Sequence, residues 1–225
     1  MGAALEVLLC SGFPTQLAII YLLALVGFPP AAGQLSLAYV GTLLVVDASL
    51  VIALVVLLMR LHGEGLREVF LGGRPIGREA LLGLPLTGVV FGVVIVVLST
   101  VLSVAPWLHN VPVNPLEDLL GTRGEATIFA GVAIFAGGVR EEMQRAFVLR
   151  RFERHLGGAS AGVVIFSVLF GLGHALQGWD AAITTGTLGA LWGVVYLARG
   201  SIIAPVVSHS IFNTAEIVRF AVWGS

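Results

Sequence analysis

Six polar side chains stand inside stretches apolar enough to read as membrane spans: Glu141, Glu142 and Arg145 in one, His174 in another, and His209 with Asn213 in the last. A charge at the bilayer centre costs about 2.5–3.5 kcal/mol on insertion scales, so such residues face a cavity or a partner. If Glu behaves like Asp, the charges of the first group together cost roughly 8–10 kcal/mol, and a compensating environment is expected. Glu141 and Arg145 share one helical face at i,i+4 and are expected to pair, whereas Glu142 points about 100° away. A buried Glu can take a proton from water and a neutral His can orient that water. A second His and an Asn amide one turn apart can present donors to a developing oxyanion. This is the chemistry of amide hydrolysis. The same types (Glu141, His174 and His209) also make an open zinc set, but His209 is followed at the fourth position by Asn rather than His, and there is no H-E-x-x-H. That favours a route needing no cofactor, with zinc as the alternative.

These residues need helices to position them. The chain has 225 residues, 57% hydrophobic and 11% charged, with mean hydropathy +1.00. Soluble domains run near 25% charged, so the fold class expected is an all-α polytopic transmembrane bundle. A span needs roughly 20 mostly apolar residues. Candidates are Pro14–Phe28, Ser36–Met59, Ala80–Val104, Thr127–Leu149, Ser160–Gln177, Ala181–Ala198 and Ile202–Trp223, about seven in all. Residues 1–225 are expected to form one domain, with its catalytic core at about 127–223. From the inner ends of the spans, at 1.5 Å per residue, Glu141 lies ~14 Å deep, His174 ~21 Å, His209 ~12 Å and Asn213 ~18 Å. Three helices therefore place polar groups in one central layer.

Arginines mark orientation. Arg60, Arg67, Arg74 and Arg78, then Arg150, Arg151 and Arg154, then Arg199 fall in alternate connectors; the opposite set holds Arg123 among Glu117, Asp118 and Glu125. Basic residues mark the cytoplasmic side, which puts the N-terminus inside. The N-terminus lacks the basic region of a cleaved signal peptide. A net charge of −1 without a basic run gives no reason to expect nucleic acid, and the single Cys10 excludes an internal disulfide framework. Gly65–Arg78 is amphipathic and basic, either a surface-lying segment or a solvated loop. Gly88/Gly92 and Gly189/Gly193 are small-residue pairs suited to close helix packing. Asp47 is an intramembrane acid with no evident partner, His62, His109 and His155 fall in connectors and read as solvated, and Trp107, Trp179 and Trp223 read as interfacial anchors.

The residues resemble the CAAX-processing and bacteriocin-immunity family of intramembrane endopeptidases, whose motifs are Glu-Glu-x-x-x-Arg, Phe-x-x-x-His and His-x-x-x-Asn or Asp. The second is Phe170 to His174 here and the third His209 to Asn213, with Gly-Ser-Ile-Ile-Ala-Pro at Gly200–Pro205 before it. The likeness covers roughly Gly137–Asn213. The first motif departs from the pattern: Arg140-Glu141-Glu142-Met143-Gln144-Arg145 has one residue fewer before the Arg. The resemblance implies that Glu141 (Glu142 being the alternative base) and His174 activate water, that His209 and Asn213 form the oxyanion site, and that Arg145 and Phe170 support them. It also implies a lipid bilayer as surroundings and a peptide or protein substrate, which is prenylated for eukaryotic relatives. A bacterial cytoplasmic membrane is the expected location. The competing expectations are an idle immunity or scaffold protein and a proton-coupled transporter, the latter disfavoured by the lack of two related halves.

Overall fold

Long apolar runs without internal breakers fold as helices, because in lipid every backbone polar group must be satisfied within its own segment. The computed structural model of the chain describes residues 2–30 and 35–223, and no strand occurs among them. The helices are α1 Ala3–Leu9, α2 Phe13–Leu25, α3 Leu37–Leu61, α4 Leu66–Leu71, α5 Ile76–Val104, α6 Arg123–Ala133, α7 Glu141–His155, α8 Ala159–Leu172, α9 Trp179–Arg199 and α10 Ile203–Trp223. Helix starts are chemically marked. Ser36 Oγ accepts from Tyr39 N at 3.2 Å, and Thr122 Oγ1 accepts from Glu125 N at 3.1 Å, each satisfying a donor that the first turn leaves free.

Three helical stretches, Leu37–Leu61, Leu66–Val104 and Trp179–Arg199, are long and apolar enough to cross a membrane; α1 and α2, bent by 41°, make a fourth if counted as one span. The expected first span at Pro14–Phe28 is thus the second limb of a broken helix. The break falls at Gly12, whose φ of +87° only glycine adopts readily, with Pro14 opening the next turn. The expected fourth span is also composite. α6 passes without a gap into a π-helical segment, Ile134–Arg140, and then into α7. The expected fifth span ends early: α8 stops at Leu172, and His174 lies in the turn beyond it.

α8 packs along α9, α5 along α10, and α10 against the π segment. The Gly189/Gly193 expectation fits this packing. A Cβ on Gly189 would meet the Phe170 ring at 2.9 Å, and Gly193 lies beside Leu149, Val163 and Arg145. The Gly88/Gly92 expectation fails, since both glycines face open space. In Gly65–Arg78, Val69 and Phe70 are buried; Phe70 O accepts from Ile202 N at 2.9 Å and Val69 O from the Tyr196 hydroxyl at 3.1 Å, so the segment docks on the bundle. Two connector histidines are not merely solvated. His62 Nε2 lies 2.7 Å from Glu6 and His109 Nδ1 2.7 Å from Asp180. Trp107, Trp179 and Trp223 are exposed, whereas Trp192 is buried.

Candidate active site

The π segment sets the geometry of the site. An i→i+5 turn carries one extra residue, and such turns often mark functional positions. Here it brings Gly137 and Gly138 against α10. A Cβ on Gly137 would lie 2.5 Å from Asn213 Nδ2 and 3.9 Å from His209 Nε2; one on Gly138 would overlap the Ser210 hydroxyl. Without side chains there, α10 approaches closely, and His209 and Asn213 share the space that Gly137 leaves open.

The two glutamates beginning α7 have different surroundings. Glu142 is buried and ion-paired with Arg145, and its Oε1 accepts from His209 Nδ1 at 2.9 Å. Glu141 is partly exposed to a cavity. The expected Glu141–Arg145 pair is therefore corrected: Arg145 takes the glutamate three residues before it, because that one faces α9 and α10. The rest of the Arg145 guanidinium lies over aromatic rings, with Phe170 at 5.0 Å and Phe166 and Trp192 each at 5.6 Å. An arginine stacked on aromatic faces retains favourable electrostatics away from water.

Trp192 also carries His209. The rings stack with centroids 3.9 Å apart and planes 15° from parallel. Held by that indole and by Glu142 on Nδ1, His209 turns its Nε2 toward Glu141, 3.8 Å from Oε2. His174 is fixed from its own chain: Nδ1–H donates to Phe170 O at 2.9 Å, and the Phe170 ring meets the imidazole edge-on at 5.0 Å. Its Nε2 is then a free acceptor.

Glu141, His174, His209 and Asn213 all line one cavity of about 780 Å³, with Phe170 and Trp192 in its wall. Glu142 and Arg145 stand behind that wall. Among the described residues no three His, Cys, Asp or Glu side chains converge as a metal would need, so the alternative set of Glu141, His174 and His209 does not fit a zinc ion in this arrangement.

Three features beside the site were given no role by the sequence. Trp192 reads as an ordinary span residue. Arg140 reaches Asp47, whose Oδ2 accepts from Nη2 at 2.7 Å; Asp47 also contacts the Thr15 hydroxyl and so has partners. The connector between α5 and α6 is clipped over the cavity by His109 on Asp180 and Asn114 on Gln177, the latter at 3.3 Å.

No curated protein and no solved structure matches the chain. Every residue of the candidate site falls between the start of α6 and the end of α10, and within that stretch residues 123–215 match the family model described as type II CAAX prenyl endopeptidase Rce1-like, the family that the three motifs resemble.

Proposed function

We propose that this chain is an intramembrane endopeptidase of bacterial membranes that hydrolyses a peptide bond in a hydrophobic, membrane-proximal substrate without a resident metal. The observation that carries the reading is the shared cavity that Glu141, His174, His209 and Asn213 all line, and the match of residues 123–215 to a family of CAAX-type proteases supports it. Glu141 takes a proton from a water that His174 Nε2 orients. The water oxygen bonds to the scissile carbonyl carbon, and the carbonyl π electrons move to its oxygen. His209, held on Nδ1 by Glu142, turns its Nε2 edge toward that oxyanion; the Asn213 amide supplies a donor beside it. As the C–N bond breaks, the proton on Glu141 passes to the leaving amine. Preorganised donors of this kind contribute about 2.7–4 kcal/mol each.

Glu142 is assigned as an orienting group rather than the base, because Arg145 and His209 occupy it and it stands behind the cavity wall. The purified protein in detergent, incubated with a library of hydrophobic C-terminal peptides, prenylated and not, tests the reading by mass spectrometry. Cleavage by the wild type that is lost in Glu141→Gln and His174→Ala is expected. No cleavage, or cleavage unchanged by both substitutions, leaves the idle immunity or scaffold protein as the better account.

A further inference from the structure

We propose that Asp47 is a positioning residue that holds the Arg140 guanidinium away from Glu141 and so keeps that carboxylate free for water; the catalytic part of the proposal rests on the function proposed above. Arg140 closes the π segment directly before Glu141, and both side chains line the same cavity. Arg140 is 7% exposed, and its Nε has no acceptor among the described residues. Its charge is balanced by Asp47, reached from α3 by Nη2 at 2.7 Å.

Among the described residues, Gly12, Thr15 and Gln16, which contact this pair, are uncharged. Gly12 at the α1–α2 break lies against the guanidinium, Thr15 contacts Asp47 Oδ1, and Gln16 Nε2 stands 3.5 Å from Oδ2. On the cavity side, Gln144 donates to Cys10 O at 2.7 Å. Glu142 is committed to Arg145 and His209. Glu141 is the carboxylate left over, its Oε2 standing 3.8 Å from His209 Nε2.

Two long side chains at consecutive positions diverge on a regular helix. An arginine, however, has the reach to turn within a shared cavity. Removing one partner of a buried ion pair leaves an uncompensated charge, which takes whatever counter-charge is within reach. Were Asp47 neutral, Arg140 would swing to Glu141 and occupy the oxygen that must accept the proton. Asp47 thus directs the arginine toward α3.

The test compares wild type, Asp47→Asn, Arg140→Gln and the double variant Asp47→Asn/Arg140→Gln, with Glu141→Gln as control. Labelling of Glu141 by a hydrophobic carbodiimide, followed by peptide mass spectrometry, reports whether that carboxyl is free and requires no catalysis. We expect Asp47→Asn to label Glu141 about tenfold more slowly than wild type, and the double variant, which has no guanidinium to capture it, to regain most of the rate. In the peptide assay, kcat should fall in Asp47→Asn with KM little changed and recover in the double variant.

A purely structural pair predicts that the melting temperature falls in Asp47→Asn and recovers in the double variant, while Glu141 labelling and kcat per folded molecule stay at the wild-type level throughout. Glu141 labelling in Asp47→Asn at the wild-type rate overturns the proposal, as does a double variant that labels as slowly as Asp47→Asn. Should Asp47→Asn fail to fold, Asp47→Glu keeps the test: it should label as wild type does, and slowed labelling there sinks the idea. If Glu141→Gln cleaves as fast as the wild type, the assignment of Glu141 as the base fails, and the labelling order separately decides whether Asp47 restrains Arg140.

Discussion

Glu142 and His209, 67 residues apart in sequence, are joined by a 2.9 Å hydrogen bond from the ring Nδ1 to the carboxylate Oε1. The bond links the start of α7 to α10 and fixes which edge of the imidazole faces the cavity. It also separates the roles of two adjacent acids, one locked in place and one facing the cavity.

The first expectation concerns these acids. Glu142→Gln leaves Arg145 buried without its counter-charge, which costs about 3–5 kcal/mol. Glu141→Gln removes only a 3.8 Å approach to His209 Nε2, beyond hydrogen-bond distance, at a partly exposed position. Thermal unfolding in detergent should therefore show a large drop for Glu142→Gln and little change for Glu141→Gln. Equal drops would mean that the two acids are not differentiated in this way.

A second expectation comes from Gly137. An added Cβ would press on Asn213 Nδ2 at 2.5 Å, displacing the amide while leaving the helix intact. Gly137→Ala should lower kcat by about 10²–10³, as removal of one oxyanion donor does, with a modest change in melting temperature. Wild-type kcat in this variant would argue that Asn213 does not touch the reacting oxygen.

Much of this was legible in the sequence, and the divide has a physical basis. His174, His209 and Asn213 stood out because polar groups are costly in apolar spans, and the extents of α3, α5, α9 and α10 followed from the apolar runs, whereas the other expected spans are broken or shorter. Spacing alone could not choose between Glu141 and Glu142 as the partner of Arg145, since i,i+3 and i,i+4 are both near neighbours; the choice depends on which face of α7 meets α9 and α10. Asp47 and Arg140 are 93 residues apart, a contact that no local pattern encodes. The π segment left only Gly137 and Gly138 as a trace, and paired glycines are common in this chain.

Trp192 gives a third expectation. It is 1% exposed and lies flat against His209. Trp192→Ala should cost about 3–5 kcal/mol of stability through the cavity it leaves. Trp192→Phe keeps a ring and should retain most of that stability, yet should lower kcat more than it raises KM, because the smaller ring supports His209 less well. A parallel loss of both parameters would point to general unfolding.

Arg151 tests how the N-terminal limb is held. It bonds Glu6 at 2.7 Å and Glu64 at 2.8 and 2.9 Å, tying α1 and the α3–α4 connector to α7. Arg151→Ala leaves Glu6 buried with only His62 and should destabilise by about 3–5 kcal/mol. Limited proteolysis should then open the N-terminal limb first, while peptide turnover per folded molecule stays close to wild type. Protection at the wild-type level would mean that the network is not what anchors α1.

The most direct measurement is hydrolysis of a hydrophobic peptide in ¹⁸O-labelled water, with single-turnover rates for wild type and Glu141→Gln. The account predicts one heavy oxygen in the newly formed carboxyl group and a rate lower by about 10²–10⁴ in the variant, the range that loss of a general base produces. An unlabelled product, or a variant that cleaves as fast as the wild type, would contradict it.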